Sequence, residues 1–84
     1  MKNNKSKISA LLITYNEVNH INDVIKNIDF TDEIIVVDSF SNDGTLEILE
    51  KMPHIKVIKR EFKNFADQRN FAIEQANNEW ILFI

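Results

Sequence analysis

Two polar clusters in this 84-residue chain carry side chains that can hold a small ligand. Thr14-Tyr15-Asn16-Glu17 follows one apolar run, and Asp38-Ser39-Phe40-Ser41-Asn42-Asp43-Gly44-Thr45 follows another. A tyrosine ring can lie against a nucleobase, and a carboxylate such as Asp38 can accept hydrogen bonds from a base N–H or from ribose hydroxyls. Such polar anchors in a mostly apolar pocket fix a ligand's orientation. The alternative for the same residues is structural: Asp38 and Asp43 cap turns, and Tyr15 packs.

A third group, Lys59, Arg60, Phe62, Lys63, Phe65, Arg69 and Phe71, interleaves cations with aromatic rings, as single-stranded nucleic-acid sites do. The overall charge speaks against that use. Ten Lys and Arg stand against thirteen Asp and Glu for a net charge of −3, so a polyanion meets no general attraction and any anion site must be local. No nucleic-acid partner is expected; the Phe side chains join the core and the cations solvate a loop.

Other chemistries lack their residues. The chain has no Cys, which removes a disulfide framework, a thiolate zinc site and a thiol nucleophile, and suits a reducing compartment. His20 and His54 lie in separate segments without ligand partners at metal spacing. Gly44 is the sole glycine, so neither a Walker loop nor a dinucleotide fingerprint is present. The apolar run behind the basic start, Ile8 to Ile13, is too short for a signal-peptide core or a membrane span.

The elements that must position the polar clusters follow from periodicity. Four apolar segments, Ile8 to Thr14, Glu33 to Asp38, Lys56 to Lys59 and Glu79 to Ile84, alternate with three stretches of helical period, the pattern of consecutive βαβ units. Ile34, Ile35, Val36 and Val37 show no in/out alternation, as expected of a strand covered on both faces.

Val18, Ile21, Val24, Ile25 and Ile28 form one stripe along the first helix. Asp43-Gly44-Thr45 reads as the turn and N-cap of a second, with Leu46, Ile48, Leu49 and Met52 buried and Pro53 just past its end. The third spans about Phe65 to Ala76, with Phe65, Ala72, Ile73 and Ala76 facing inward. Right-handed crossovers then imply an α/β, Rossmann-like parallel sheet of order 3-2-1-4 with flanking helices. Its ligand crevice is expected at the carboxyl ends of strands 1 and 4.

Four phrases in order, Thr-Tyr-Asn-Glu, Val-Val-Asp-Ser-Phe-Ser-Asn-Asp-Gly-Thr, Asn-Phe-Ala-Asp-Gln-Arg-Asn-Phe-Ala-Ile and Glu-Trp-Ile-Leu-Phe-Ile, resemble the family 2 glycosyltransferases from Ile8 to Ile84. The Asp-Ser-Phe-Ser and Asn-Phe-Ala-Asp-Gln-Arg-Asn phrases look most like the branch that builds the bacterial lipopolysaccharide core. The resemblance implies that residues 1–84 are a single partial domain, the nucleotide-sugar-binding N-terminal half of a glycosyltransferase A-type fold. It carries the family's uridine-contacting positions onto Thr14, Tyr15, Glu17, Asp38 and Arg69, with Arg69 toward the base and diphosphate. An ordinary surface ion pair is the alternative for Arg69. At Ser39 and Phe40 the chain departs from the family's commoner Asp and Gly or Asn.

Family members carry an Asp-x-Asp motif after the fourth strand, and its carboxylates hold the Mg²⁺ or Mn²⁺ that offsets charge on the leaving diphosphate. That motif and the general base fall past Ile84, so no catalytic or metal residue is assigned here, and these 84 residues alone are expected to be inactive. For the complete enzyme the resemblance implies a UDP-sugar donor, a saccharide or lipid-linked acceptor, inverting transfer, and work in the cytoplasm or at the cytoplasmic face of the inner membrane. A non-catalytic nucleotide-binding or structural α/β module is the rival reading. The apolar run Trp80 to Ile84 adds an expectation of self-association through an uncovered strand.

Overall fold

Four strands and three helices alternate along residues 7–84, the part of the chain that this computed structural model describes. Strands β1 (Ile8–Thr14), β2 (Glu33–Asp38), β3 (Ile55–Lys59) and β4 (Trp80–Phe83) form one parallel sheet in the order β3-β2-β1-β4. The strand order is the expected one. Helices α1 (Ile21–Ile28) and α2 (Thr45–Glu50) cover one face and α3 (Phe65–Gln75) the other. With every crossover of the same hand, two steps toward β3 place α1 and α2 on one side, and the step back past β1 to β4 places α3 opposite.

Two-residue alternation along the strands divides the core. Ala10, Leu12, Ile34 and Val36 pack with Ile21, Ile25 and Ile28 of α1, Leu49 of α2 and Ile55 of β3. Leu11, Ile35 and Val37 pack on the other face with Ala72 of α3, flanked by Phe71, Ala76 and Phe83. Strand β2 therefore lies buried on both faces from Ile34 to Asp38, which is why its sequence is an unbroken apolar run ending in one buried carboxylate. Each fully buried Ile or Val contributes about 1.5–3 kcal/mol relative to an exposed one.

The helices depart from the expected pattern in particular places. Helix α2 ends at Glu50, so Met52 lies beyond it; of its four expected core residues only Leu49 is fully buried, and Leu46, Ile48 and Met52 are half-buried. In α3 the expected inward positions Phe65 and Ile73 are instead exposed. The stripe on the sheet runs through Gln68, Phe71, Ala72, Gln75 and Ala76; Ile73 shares the outer flank with Arg69, four residues away. Phe65 opens the helix where the chain has just left the carboxyl end of β3, so its side chain overhangs the sheet edge.

The amino-terminal edge of the sheet is tied by one carboxylate. Glu33 Oε1 accepts from Ser9 Oγ at 2.7 Å and from the Asn77 amide N–H at 2.9 Å, while Oε2 accepts from Asn77 Nδ2. Ser9 Oγ in turn accepts from the Asn78 N–H at 3.2 Å. Through these bonds the α3–β4 loop is anchored beneath β1 and β2.

Candidate functional site

At the carboxyl edge, the loops after β1 and β2 are joined by side chains accepting from backbone amides. Ser41 Oγ accepts from the Asn16 N–H, Thr45 Oγ1 from the Glu17 N–H and Asp43 Oδ2 from the Val18 N–H, at 2.8, 2.8 and 3.1 Å. Asn16 Oδ1 reciprocates by accepting from the Asn42 N–H at 2.9 Å. Asn16 has φ 53°, a left-handed conformation that asparagine tolerates, and Gly44 has φ 108°, where a side chain is strained. A Cβ on Gly44 would also meet Val18 Cγ2 at 3.3 Å.

Asp43 organises the start of α2. Its Oδ1 accepts from the Thr45 N–H at 3.0 Å and the Thr45 hydroxyl at 2.6 Å. The N-cap position itself is Gly44, within the Asp43-Gly44-Thr45 turn that the sequence marks, with no side-chain cap bond. Partial desolvation pushes the Asp43 carboxyl up, but bonds from the Thr45 hydroxyl and from the Thr45 and Val18 amides outweigh it and hold it below the usual aspartate range.

Beside this stitched pair of loops lies a pocket of about 440 Å³ lined by Ile13, Thr14, Tyr15, Glu17, Ser39, Phe62 and Phe65. That volume falls within the usual range of small-molecule sites. Tyr15 is 55% exposed, and Phe62 and Phe65 meet edge to face with ring centroids 5.1 Å apart. The pocket thus offers ring surfaces from two segments, with the Glu17 carboxylate and Ser39 as polar groups. A smaller cavity of about 180 Å³, lined in part by Leu12, Thr14, Ile21 and Ile84, sits on the α1 side. The larger pocket belongs to β1, β2 and the segment entering α3, so the site lies nearer β2 than the expected crevice between strands 1 and 4.

Strand alternation explains which predicted residues reach the pocket. Thr14 and Asp38 are register partners on the α1/α2 face, where Thr14 Oγ1 donates to Asp38 Oδ1 at 2.6 Å. Ser41 donates its hydroxyl to Oδ1 and its N–H to Oδ2, at 2.6 and 2.7 Å. Asp38 is therefore wholly buried, with both oxygens occupied by the protein, and its expected contact with a base or ribose is not made available in this structure. The neighbouring Ser39 borders the pocket instead. Thr14 lines the pocket while its hydroxyl turns away to Asp38.

Arg69 is likewise not among the pocket's lining residues. Its guanidinium lies over the Phe83 ring, 5.3 Å from the centroid, on the outer flank of α3. Of its two sequence neighbours, Gln68 turns inward and Asn70 is exposed. Asn64 caps the helix by accepting from the Asp67 N–H at 2.8 Å. Arg60 Nη1 donates to Asp67 Oδ2 at 2.6 Å and to Gln68 Oε1 at 2.7 Å, and its guanidinium stacks over Phe71. The Arg60 bond and charge, with a smaller contribution from Lys63, keep the Asp67 carboxyl below its usual range despite opposing desolvation.

Ser39, Phe62, Phe65 and Gln68 are the residues that sequence reasoning did not place at the site. The available signals were the alternation that sets Ser39 opposite in facing to Asp38, and two Phe residues three apart at a helix entrance. Among the described residues no cluster of three His, Cys, Asp or Glu could hold a metal ion, and Glu17 is the sole carboxylate lining the pocket. The residues present therefore do not by themselves fit a divalent-cation site. No helix among the described residues is long and apolar enough to cross a membrane.

A family model described as glycosyl transferase family 2 matches residues 9–84. An uncharacterised glycosyltransferase of Rickettsia conorii is 40% identical over 79 residues, which cover 93% of this chain and 28% of the relative. The SPbeta prophage-derived glycosyltransferase SunS of Bacillus subtilis is 37% identical over 86 residues, covering 99% of this chain and 20% of SunS. The lipopolysaccharide core biosynthesis glycosyltransferase LpsC of Rhizobium meliloti is 30% identical over 80 residues, covering 90% of this chain and 30% of LpsC. The chain thus spans less than a third of the length of these relatives.

Proposed function

The chain belongs to glycosyl transferase family 2, and from that premise we propose that its carboxyl-edge pocket receives the nucleoside of a nucleotide-sugar donor, a UDP-sugar in the first instance. The observation that carries this reading is the pocket lined by Tyr15, Phe62, Phe65, Ser39 and Glu17. Aromatic rings at a parallel sheet's carboxyl edge suit a flat base, and stacking on one such ring is worth about 1–3 kcal/mol per base.

In this reading Tyr15 and the Phe62–Phe65 pair flank the base, and Glu17 receives hydroxyls at the ribose side. Asp38 supports the pocket from below by holding Thr14 and Ser41 in place. Arg69, with no carboxylate partner among the described residues, serves the diphosphate. The complete protein is a glycosyltransferase that transfers sugar with inversion to a saccharide or lipid-linked acceptor in cell-envelope polysaccharide synthesis. The relation to LpsC supports that acceptor class. Its Mg²⁺ or Mn²⁺ would supply charge neutralisation at the leaving diphosphate. It works in the cytoplasm or at the cytoplasmic membrane face, and as an 84-residue chain it self-associates through β4.

Titration with uridine diphosphate, followed by backbone NMR and with adenosine diphosphate as comparison, tests the reading. Selective shifts at Tyr15, Glu17, Ser39 and Phe65 with uridine diphosphate are expected. Shifts with neither nucleotide, or equal shifts with both, would sink the uridine site.

A further inference from the structure

Residues 61–66, which carry the two phenylalanine rings of the pocket wall, are exposed throughout. Among the described residues no hydrogen bond holds Glu61, Phe62 or Lys63, while Phe62 and Phe65 meet each other edge to face. An exposed segment with so few bonds of its own takes its position from its two ends. One end is rooted in α3 by the Asn64 cap, and the other is Arg60.

Arg60 fastens the two ends together. Its N–H donates to the Asp38 carbonyl oxygen at 2.8 Å, which ties the exit of β3 to the end of β2. Its guanidinium crosses the base of the loop to α3, where Nη1 donates to Asp67 Oδ2 at 2.6 Å and to Gln68 Oε1 at 2.7 Å, over the Phe71 ring. Gln68 Nε2 returns a bond to the Arg60 carbonyl oxygen at 3.2 Å. One wholly buried side chain thus grips Arg60 by its side chain and its main chain at once. A lysine would bring the same charge, but not a planar group that stacks on a ring while donating to two partners. Arg60 does not itself line the pocket; the rings on the loop it closes do.

Resting on the nucleoside reading of this pocket, we propose that Arg60 is a positioning residue for donor binding. By closing the base of the β3–α3 loop onto Asp67 and Gln68, it holds the Phe62–Phe65 wall in place beside the base. The guanidinium acts through the two rings and makes no contact with the ligand.

NMR of the free 84-residue chain reads the wall without any ligand. A ring-to-ring nuclear Overhauser contact between Phe62 and Phe65 is expected in the unaltered chain and lost in Arg60→Lys, with the amide shifts of β1, β2 and β4 unchanged. The same variant should bind uridine diphosphate about five- to tenfold more weakly, within the range of one lost stack. In a chain carrying Phe62→Ala and Phe65→Ala, Arg60→Lys should change the remaining affinity by less than about twofold, because no wall is left to position. Asp67→Ala, at a part-exposed place in the first turn of α3, removes one partner and serves where Arg60→Lys does not fold. It should weaken binding in the same ring-dependent way. A Phe62–Phe65 contact that survives in Arg60→Lys, or an unchanged affinity, overturns the positioning role and leaves the nucleoside pocket standing. A loss that persists in full without the two rings assigns Arg60 to the ligand itself and overturns that role as well. An unaltered chain that binds no uridine diphosphate sinks both readings.

Discussion

At the scale of single residues, the chain separates side chains that hold the site from those that can touch a ligand. Asp38 is of the first kind: its carboxylate is wholly buried and accepts from Thr14 and twice from Ser41. Asp38→Ala would leave those donors without an acceptor, and a loss of roughly 2–4 kcal/mol in urea-induced unfolding is expected. Tyr15 is of the second kind, because the residue is 55% exposed and supports little of the core. Tyr15→Ala is expected to weaken uridine diphosphate binding about tenfold, within the range of one lost stack, with an unchanged melting temperature. Gly44 serves the backbone: at φ 108° and facing Val18, Gly44→Ala should cost on the order of 1–2 kcal/mol in the same unfolding measurement.

At the scale of elements, the carboxyls that make stability depend on pH stand where elements begin: Glu33 opens β2, Asp67 lies in the first turn of α3 and Asp43 precedes α2. Desolvation raises the Glu33 carboxyl, but bonds from Ser9 and from the Asn77 amide and side chain, with the charge of Lys56, prevail and lower it from its ordinary 4.5. A carboxyl with a lowered folded-state value contributes stability that is present in full above the unfolded-state value. That contribution disappears as pH falls through the folded value. Asp43 and Asp67 are lowered too, so the three add in the same direction. Unfolding free energy is therefore expected to hold steady from neutral pH toward about pH 5 and to fall below it. Glu33→Gln should flatten part of that fall, and an identical acid profile for the variant would count against the anchoring role of the α3–β4 loop.

At the scale of the whole molecule, the two edges of the sheet are unlike. Edge strand β3 presents the exposed cations Lys56 and Lys59, which discourage pairing with another chain. Edge strand β4 presents no charge, and Trp80 and Ile81 are exposed beside the exposed ring of Phe30. Trp80 lies opposite Ile8 on the α1 face, and Ile81 points to the other, so both faces of this edge are apolar. Sedimentation of the 84-residue chain is expected to show mass rising with concentration, and Ile81→Lys should shift it toward the monomer. A monomer mass independent of concentration in the unaltered chain would remove the self-association reading.

Much of this architecture was legible in the chain itself, because the signals were local. Apolar runs bounded by polar clusters marked the strands, helical spacing marked α1, and right-handed crossover geometry turned their order into β3-β2-β1-β4. The family resemblance across residues 8–84 likewise needed only the order of short phrases, and the match to glycosyl transferase family 2 over residues 9–84 agrees with it. Facing was decided in three dimensions. Adjacent residues at a strand's end point to opposite faces, so whether Asp38 or Ser39 meets the pocket depends on which face α3 covers. The same holds on α3, where Phe65 overhangs the sheet edge, Gln68 turns under it and Arg69 turns out. Periodicity set these side chains about an axis, and only packing against the sheet determined which of them would be buried and which would border the pocket.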